Sequence, residues 1–154
     1  VPGCEDARLL CSGSTLGIRE SRHIHGEKTL TLEDIIEGRT PHDSVLVCSN
    51  SADIHGRFGP KSNEYVVIQN GDWYGIPYGC LVPQRIDGLL LAGRCFSATS
   101  DAAGAVRVMP PCMCMGQAAG IAASLSAQQC MNPRNIQPAQ VRETLRQQGA
   151  FLPD

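Results

Sequence analysis

Asp53 and His55 are separated by a single residue. In extended backbone both side chains project to one face, where the carboxylate orients or charge-stabilises the imidazole. The pair reads as a candidate acid and base; the same two residues also fit a polar loop with a solvated histidine. His23 and His25 share a strand face in the same way and could begin a metal site, but no spacing indicates a third ligand. Between them and the N-terminus, Arg19, Glu20 and Arg22 either shape a pocket for an anionic substrate or line a solvent-facing strand with weak ion pairs. Trp73, Tyr74 and Tyr78 cluster near Pro77, as an aromatic wall beside a ligand or as ordinary core packing.

The densest chemistry lies around Arg107 and the segment PPCMCMG that follows it. Prolines open a helix without losing a useful donor. Backbone N–H groups of Cys112, Met113 and Cys114 are then expected to be unpaired, and with the helix dipole they favour negative charge just beyond the helix start. Arg107 adds a full positive charge. Cys112 and Cys114 would have lowered thiol pKa values there if accessible, which allows a dithiol relay, although a disulfide between such close positions is strained. The plainer alternative is that GQAAG lets a helix pack tightly on a strand, as small residues commonly do.

These residues need elements to hold them. The run LLLAG, ending in Gly93, is continuous and apolar, as expected of a strand buried on both faces. Arg94 to Met109 reads as a long loop whose small side chains, with Gly93 and Gly104, let backbone approach a ligand closely. PPCMCMGQAAGIAASLSAQ reads as a helix whose small and apolar surface implies burial. A last helix is expected from Pro138 to Gln148, with Val141 and Leu145 at helical spacing and Gly149 as its stop. Upstream, GIRESRHIHG and KTLTL read as two strands turning at Gly26. Thr31 caps a short helix over LEDIIEGR that Gly38 closes, and SVLVCS is a buried strand. NSADIHGRFGPKSN is a connection; YVVIQ and WYGIPYGCLVP are strands divided by Asn70, Gly71 and Asp72.

Composition bounds the function classes. The chain has 154 residues, 42% of them hydrophobic and 18% charged, which suits an ordinary globular core. With a net charge of -2 there is no basic field to hold nucleic acid or an anionic membrane. Apolar runs such as LLLAG and GIAASL fall far short of the roughly 20 residues a bilayer span needs. VPGCEDARLL lacks the pattern of a secretory signal, so a cytoplasmic location is expected, and the start without methionine suggests a truncated or processed chain. Eight cysteines at irregular spacings, with no CxxC pair, are expected to be reduced and buried in core elements.

Taken in order, LLLAGRCFSAT and AGAVRVMPPCMCMGQAAGIAA resemble the C-terminal flavin-binding signature of the FAD-dependent oxidoreductase family. GIRESRHIHGEKTLT, SADIHG and YGIPYGCLVP resemble its substrate-side region, so the likeness runs from about Leu16 to Leu152. The resemblance implies an α/β chain. Residues 88–154 would complete an FAD-binding, Rossmann-like domain with a strand and helix, and residues 1–87 would form a mixed, β-rich part of a substrate domain. It implies FAD as cofactor and hydride transfer with a small-molecule substrate. Gly93 and Arg94 would lie near the ribityl and pyrophosphate region, Arg107 and the backbone from Pro111 through Cys112 to Met113 would face the isoalloxazine, and Gly116, Gln117 and Gly120 would lie on the supporting helix. The helix start and Arg107 would then stabilise negative charge on the pyrimidine edge. More distantly the chain is similar to flavoproteins of the fumarate reductase type, which implies a substrate carboxylate as another partner for Arg107. One departure is large: no GxGxxG occurs in the sequence, so the nucleotide end of FAD requires an N-terminal segment or a partner chain that carries it. A non-catalytic assembly subunit, homo-oligomeric association and a cysteine-based redox or metal protein stand as alternatives.

Overall fold

The structure is a computed structural model that describes residues 2–55 and 63–153, without the side chains of His55, Asn63 and Glu64. It is a mixed α/β arrangement of four α-helices and two small antiparallel sheets among those residues. Strand β1 (Ser44–Cys48) pairs with β4 (Tyr74–Pro77), and β2 (Ala52–His55) pairs with β3 (Asn63–Val66). Val45, Leu46, Tyr74 and Ile76 are all buried. A strand covered on both faces in this way reads as a continuous apolar run, which made SVLVC recognisable; of the expected strand WYGIPYGCLVP only Tyr74–Pro77 is extended, and Tyr78–Leu81 turn as a short 3-10 helix.

Helix α1 (Leu32–Ile36) begins with a complete capping box. The Thr31 hydroxyl accepts from the Asp34 amide, and the Asp34 carboxylate accepts from the Thr31 amide. Helix α2 (Ser100–Val106) is short and buried from Ala102 to Val106, and Thr99 caps it by accepting from the Ala102 amide. Helix α3 (Met109–Gln129) follows at an angle of 95° to α2. Helix α4 (Pro138–Gln147) buries Val141 and Leu145 and stops at Gly149, whose φ is +86°. Both α3 and α4 pack on β1, while α2 packs on β2. The core that results joins Ile35, Val45, Ile76, Phe96, Val106, Met115 and Leu145 in one cluster. No single helix among the described residues is long and apolar enough to cross a membrane.

Several expected elements differ. Residues 89–92 of LLLAG form no strand; Leu89 is exposed and the next residues are half-buried. The Leu91 amide donates to the Leu81 carbonyl, but no ladder forms. A strand needs a paired edge, and no described segment supplies one. GIRESRHIHG and KTLTL form no hairpin at Gly26; each makes one isolated bridge instead, Gly26 with Pro83 and Leu30 with Ala98. The long loop after Gly93 contains α2, hidden from sequence because its alanines and glycine carry no amphipathic pattern. Ala52–His55 is a strand within the predicted connection, and residues 56–62 of that connection lie outside the described residues.

Helix α3 is only partly buried. Pro111, Met115, Ala118 and Ala122 face the core, whereas Met109 and Met113 are 79% and 73% exposed. Uniform apolar composition pointed to burial on all sides, but only one side has a covering among the described residues. The cysteines divide likewise. Cys48 and Cys80 are buried, Cys95 and Cys112 are intermediate, and Cys4, Cys11, Cys114 and Cys130 are exposed.

Candidate functional site

The bend between α2 and α3 is where the chemistry-bearing residues meet. Arg107 ends α2, and its side chain turns inward, 15% exposed. Its Nη1 donates to Glu20 Oε2 at 3.2 Å, and Nη2 donates to the Asp53 carbonyl at 3.1 Å. The second contact depends on close packing of α2 against β2. A Cβ on Gly104 would stand 3.1 Å from the Asp53 carbonyl oxygen, tighter than most side chains tolerate, so the glycine lets the helix approach the strand backbone. Gly104 therefore serves packing within the chain rather than approach to a ligand. Asn50 Nδ2 donates to the Ala105 carbonyl at 2.7 Å and secures the same contact.

Glu20 is the hub of this cluster. Oε1 accepts from Ser100 Oγ at 2.7 Å and faces His23 Nε2 at 3.1 Å, while Oε2 holds Arg107. The other His23 nitrogen, Nδ1, lies 3.1 Å from the Phe96 carbonyl. Burial raises the Glu20 carboxyl pKa. Hydrogen bonds from Ser100 and His23 and the charges of His23 and Arg107 outweigh it and leave the group below its ordinary value. Both ring nitrogens of His23 thus lie within hydrogen-bond distance of an oxygen. Sequence reasoning placed Arg19, Glu20 and Arg22 on a strand and gave His23 and His25 one face. The backbone there is not a strand: the His23 ring nitrogens turn into the cluster, while His25 is exposed, and both histidines line a groove with Ile24 and Pro83. Outside a helix the three-residue spacing of Glu20 and His23 does not mark their contact, and Ser100 and the Phe96 carbonyl carry no sequence signal either.

Gly93, with φ of +86°, forms the turn before Arg94. Arg94 Nη1 donates to the carbonyls of Ile18 and Arg19 at 3.1 and 3.2 Å, drawing the segment before Glu20 across the turn. Arg94 and Cys95 also lie close enough to Cys112 to act on its thiol. Burial raises the Cys112 pKa, Arg94 opposes the rise, and Cys95 adds to it. A dithiol with a lowered pKa at Cys112 is therefore corrected: desolvation wins at this position.

The helix start differs from expectation too. Helix α3 begins at Met109, with Val108 as a cap that makes no side-chain bond, so the Cys112 amide already lies within the helix and donates to the Val108 carbonyl at 3.4 Å. Pro110 and Pro111 have no N–H to offer. The anion-favouring amides expected at Cys112 to Cys114 are thus paired in the helical ladder, and fixed positive charge at this end comes mainly from Arg107. Pro111 is buried, Cys112 half-buried, and Met113, Gly116 and Gln117 face outward. A Cβ on Gly116 or Gly120 would meet nothing within 4 Å, so neither glycine serves close packing among the described residues. Gln117 Nε2 donates to Gln148 Oε1 at 2.9 Å and leans toward the end of α4.

Of the acid–base pair, Asp53 is half-buried in β2 opposite Tyr65, and its carbonyl faces Arg107. The backbone of His55 pairs with Asn63, and its side chain lies outside the described residues. Tyr74 and Tyr78 belong to the core. The Tyr74 hydroxyl donates to Cys48 Sγ and the Asn50 carbonyl, and the Tyr78 hydroxyl donates to the Pro133 carbonyl. Burial pushes Tyr78 up to about 12. Trp73 stacks edge-on against Phe151 at 5.2 Å. None of the three forms an aromatic wall at the α2–α3 bend.

The arrangement holds the Arg107 guanidinium in a largely buried ion pair with Glu20, just before the first turn of α3. Around the bend lie the exposed first turn of α3 and a glycine turn where a Cβ would meet nothing within 4 Å. The fold is a mixed α/β arrangement with a hydrogen-bonded charged cluster at the α2–α3 bend. Residues 1–145 match the family model described as FAD dependent oxidoreductase, and the chain belongs to that family. No curated protein and no solved structure matches it.

Proposed function

We propose that this chain is the C-terminal part of an FAD-dependent oxidoreductase that passes a hydride between an organic substrate and flavin. The observation that carries this reading is Arg107, held by Glu20 and the Asp53 carbonyl at the α2–α3 bend beside the exposed first turn of α3. When bound, the flavin supplies the hydride-accepting ring; the chain supplies position and electrostatics. Arg107 presents a charge that is already oriented and needs no reorganisation during reaction. Glu20 holds that orientation and is not itself the base, because Ser100, His23 and Arg107 surround its oxygens. Gly93 and Arg94 border the ribityl side, and Pro111, Cys112, Met113, Gly116 and Gln117 border the ring along α3. His55 is the proposed base and Asp53 its partner; β2 carries His55 two residues beyond the carbonyl that holds Arg107.

Residues 88–154 act as the flavin-side unit in this reading and residues 1–87 as the substrate side. The adenosine end of FAD is held by a GxGxxG-bearing segment or partner chain, since the motif is missing from these 154 residues. Exposed Met109 and Met113 on α3 also suit the alternative of a non-catalytic subunit that docks on a partner. Stopped-flow reduction of flavin in the holoprotein separates the two. Arg107→Ala is expected to slow flavin reduction by about a hundredfold; unchanged rates would remove Arg107 from the mechanism, and a protein that never carries flavin would favour the subunit.

A further inference from the structure

We infer that the cleft between the 18–22 segment and the Gly93 turn is an oxyanion site, built by Arg19 and Arg22 with Arg94 at its floor. The cleft has a volume of about 290 Å³ and is lined by Ile18, Arg19, Glu20, Ser21, Arg22, Arg94 and Cys95. That size is close to the lower end of the roughly 300–1,000 Å³ typical of small-ligand pockets. Three of its lining side chains are guanidinium groups, and its single carboxylate, Glu20, is committed elsewhere: Ser100, His23 and Arg107 surround it. Three guanidinium groups lining one cleft repel one another, and an oxyanion among them reverses the sign of that interaction.

The loop is also fixed where a ligand would need it fixed. Arg94 holds the Ile18 and Arg19 carbonyls, so the backbone that carries Arg19 is tied to the floor of the cleft before any ligand arrives. Glu20, anchored on its inner side, prevents the segment from turning over. Arg19 and Arg22 are exposed. Guanidinium groups match carboxylate and phosphate geometry through paired N–H donors, which a lysine cluster does not. The ligand class is therefore a carboxylate or phosphate oxyanion. It has two sources compatible with the proposed function, on which their assignment rests: an acidic substrate, or the diphosphate of the cofactor.

Isothermal titration of the full-length protein with inorganic pyrophosphate, and separately with malonate, tests the site at low and raised salt. Saturable, salt-sensitive binding of at least one anion is expected, weakened about tenfold by Arg19→Ala and by Arg22→Ala. Arg85→Ala, in a different groove, is expected to leave it unchanged, and unaltered melting curves confirm that the exposed substitutions leave the fold intact. Displacement of the anion by added FAD assigns the site to the cofactor diphosphate; binding that FAD does not disturb assigns it to an acidic substrate. No saturable binding of either anion, or equal affinity in both variants and the wild type, overturns the inference. A protein that binds anions but never flavin would keep this site and lose the flavoenzyme reading; one that binds flavin but no anion would do the reverse.

Discussion

Arg107, with its side chain 15% exposed, must have its charge answered nearby, and Glu20 answers it. The consequence is a pH dependence with a definite sign. Glu20 titrates below its ordinary value of 4.5 in the folded protein, so its contribution to stability is full above that value and is lost as pH falls through the lower, folded one. Urea unfolding measured at successively lower pH is expected to show wild type losing stability below about 4.5, with a smaller loss over that window in Glu20→Gln. Parallel losses in the two proteins would mean that Glu20 does not sustain the cluster. At this scale the sequence exposed the residue types but not their partners. Arg107, Glu20 and His23 were all visible as charged or titratable groups. Their meeting depends on a non-strand path for residues 17–25, and alternation of apolar and charged residues gives no hint of such a path.

Helices were legible where local chemistry sets their ends. Thr31 and Asp34 announced α1, and Gly149 announced the end of α4. The short helix α2 was not legible, because its first and last turns nearly overlap and tertiary burial rather than pattern stabilises it. The residues 89–92 were misread for the opposite reason: their composition is that of a strand, but pairing is a property of neighbours. Helix α3 ends at Cys130, a non-glycine residue in the left-handed region with φ of 51°. The Met131 amide donates to the Ser126 carbonyl there, closing the helix as glycine ordinarily does. Because Cys130 is exposed, Cys130→Gly removes strain without opening a cavity. Thermal or urea unfolding is expected to record a gain of about 0.5–1 kcal/mol. A loss of stability would show that the Cys130 side chain supports the helix end.

Across the whole molecule, the core forms where β1 and β4 meet α3 and α4, and the Glu20–Arg107 cluster lies at its margin, on the α2–α3 bend. Thiol labelling maps that division. Cys4, Cys11, Cys114 and Cys130 are expected to react with iodoacetamide in the folded protein, and Cys48 and Cys80 only after unfolding. Burial pushes the Cys80 thiol up to about 12, which adds to its protection. Rapid labelling of Cys80 at neutral pH would mean that the core opens readily. Family membership was legible from several short motifs in order, whereas the open side of α3 was not, because a sequence of small and apolar residues does not say which side is covered. The account as a whole turns on Arg107 acting on a bound flavin, and the flavin midpoint potential in the holoprotein measures that action most directly. Replacing Arg107 by glutamine is predicted to lower the potential by about 30 mV or more, equivalent to the loss of one charge-assisted hydrogen bond to the reduced ring; an unchanged potential in a folded, flavin-loaded variant would contradict it.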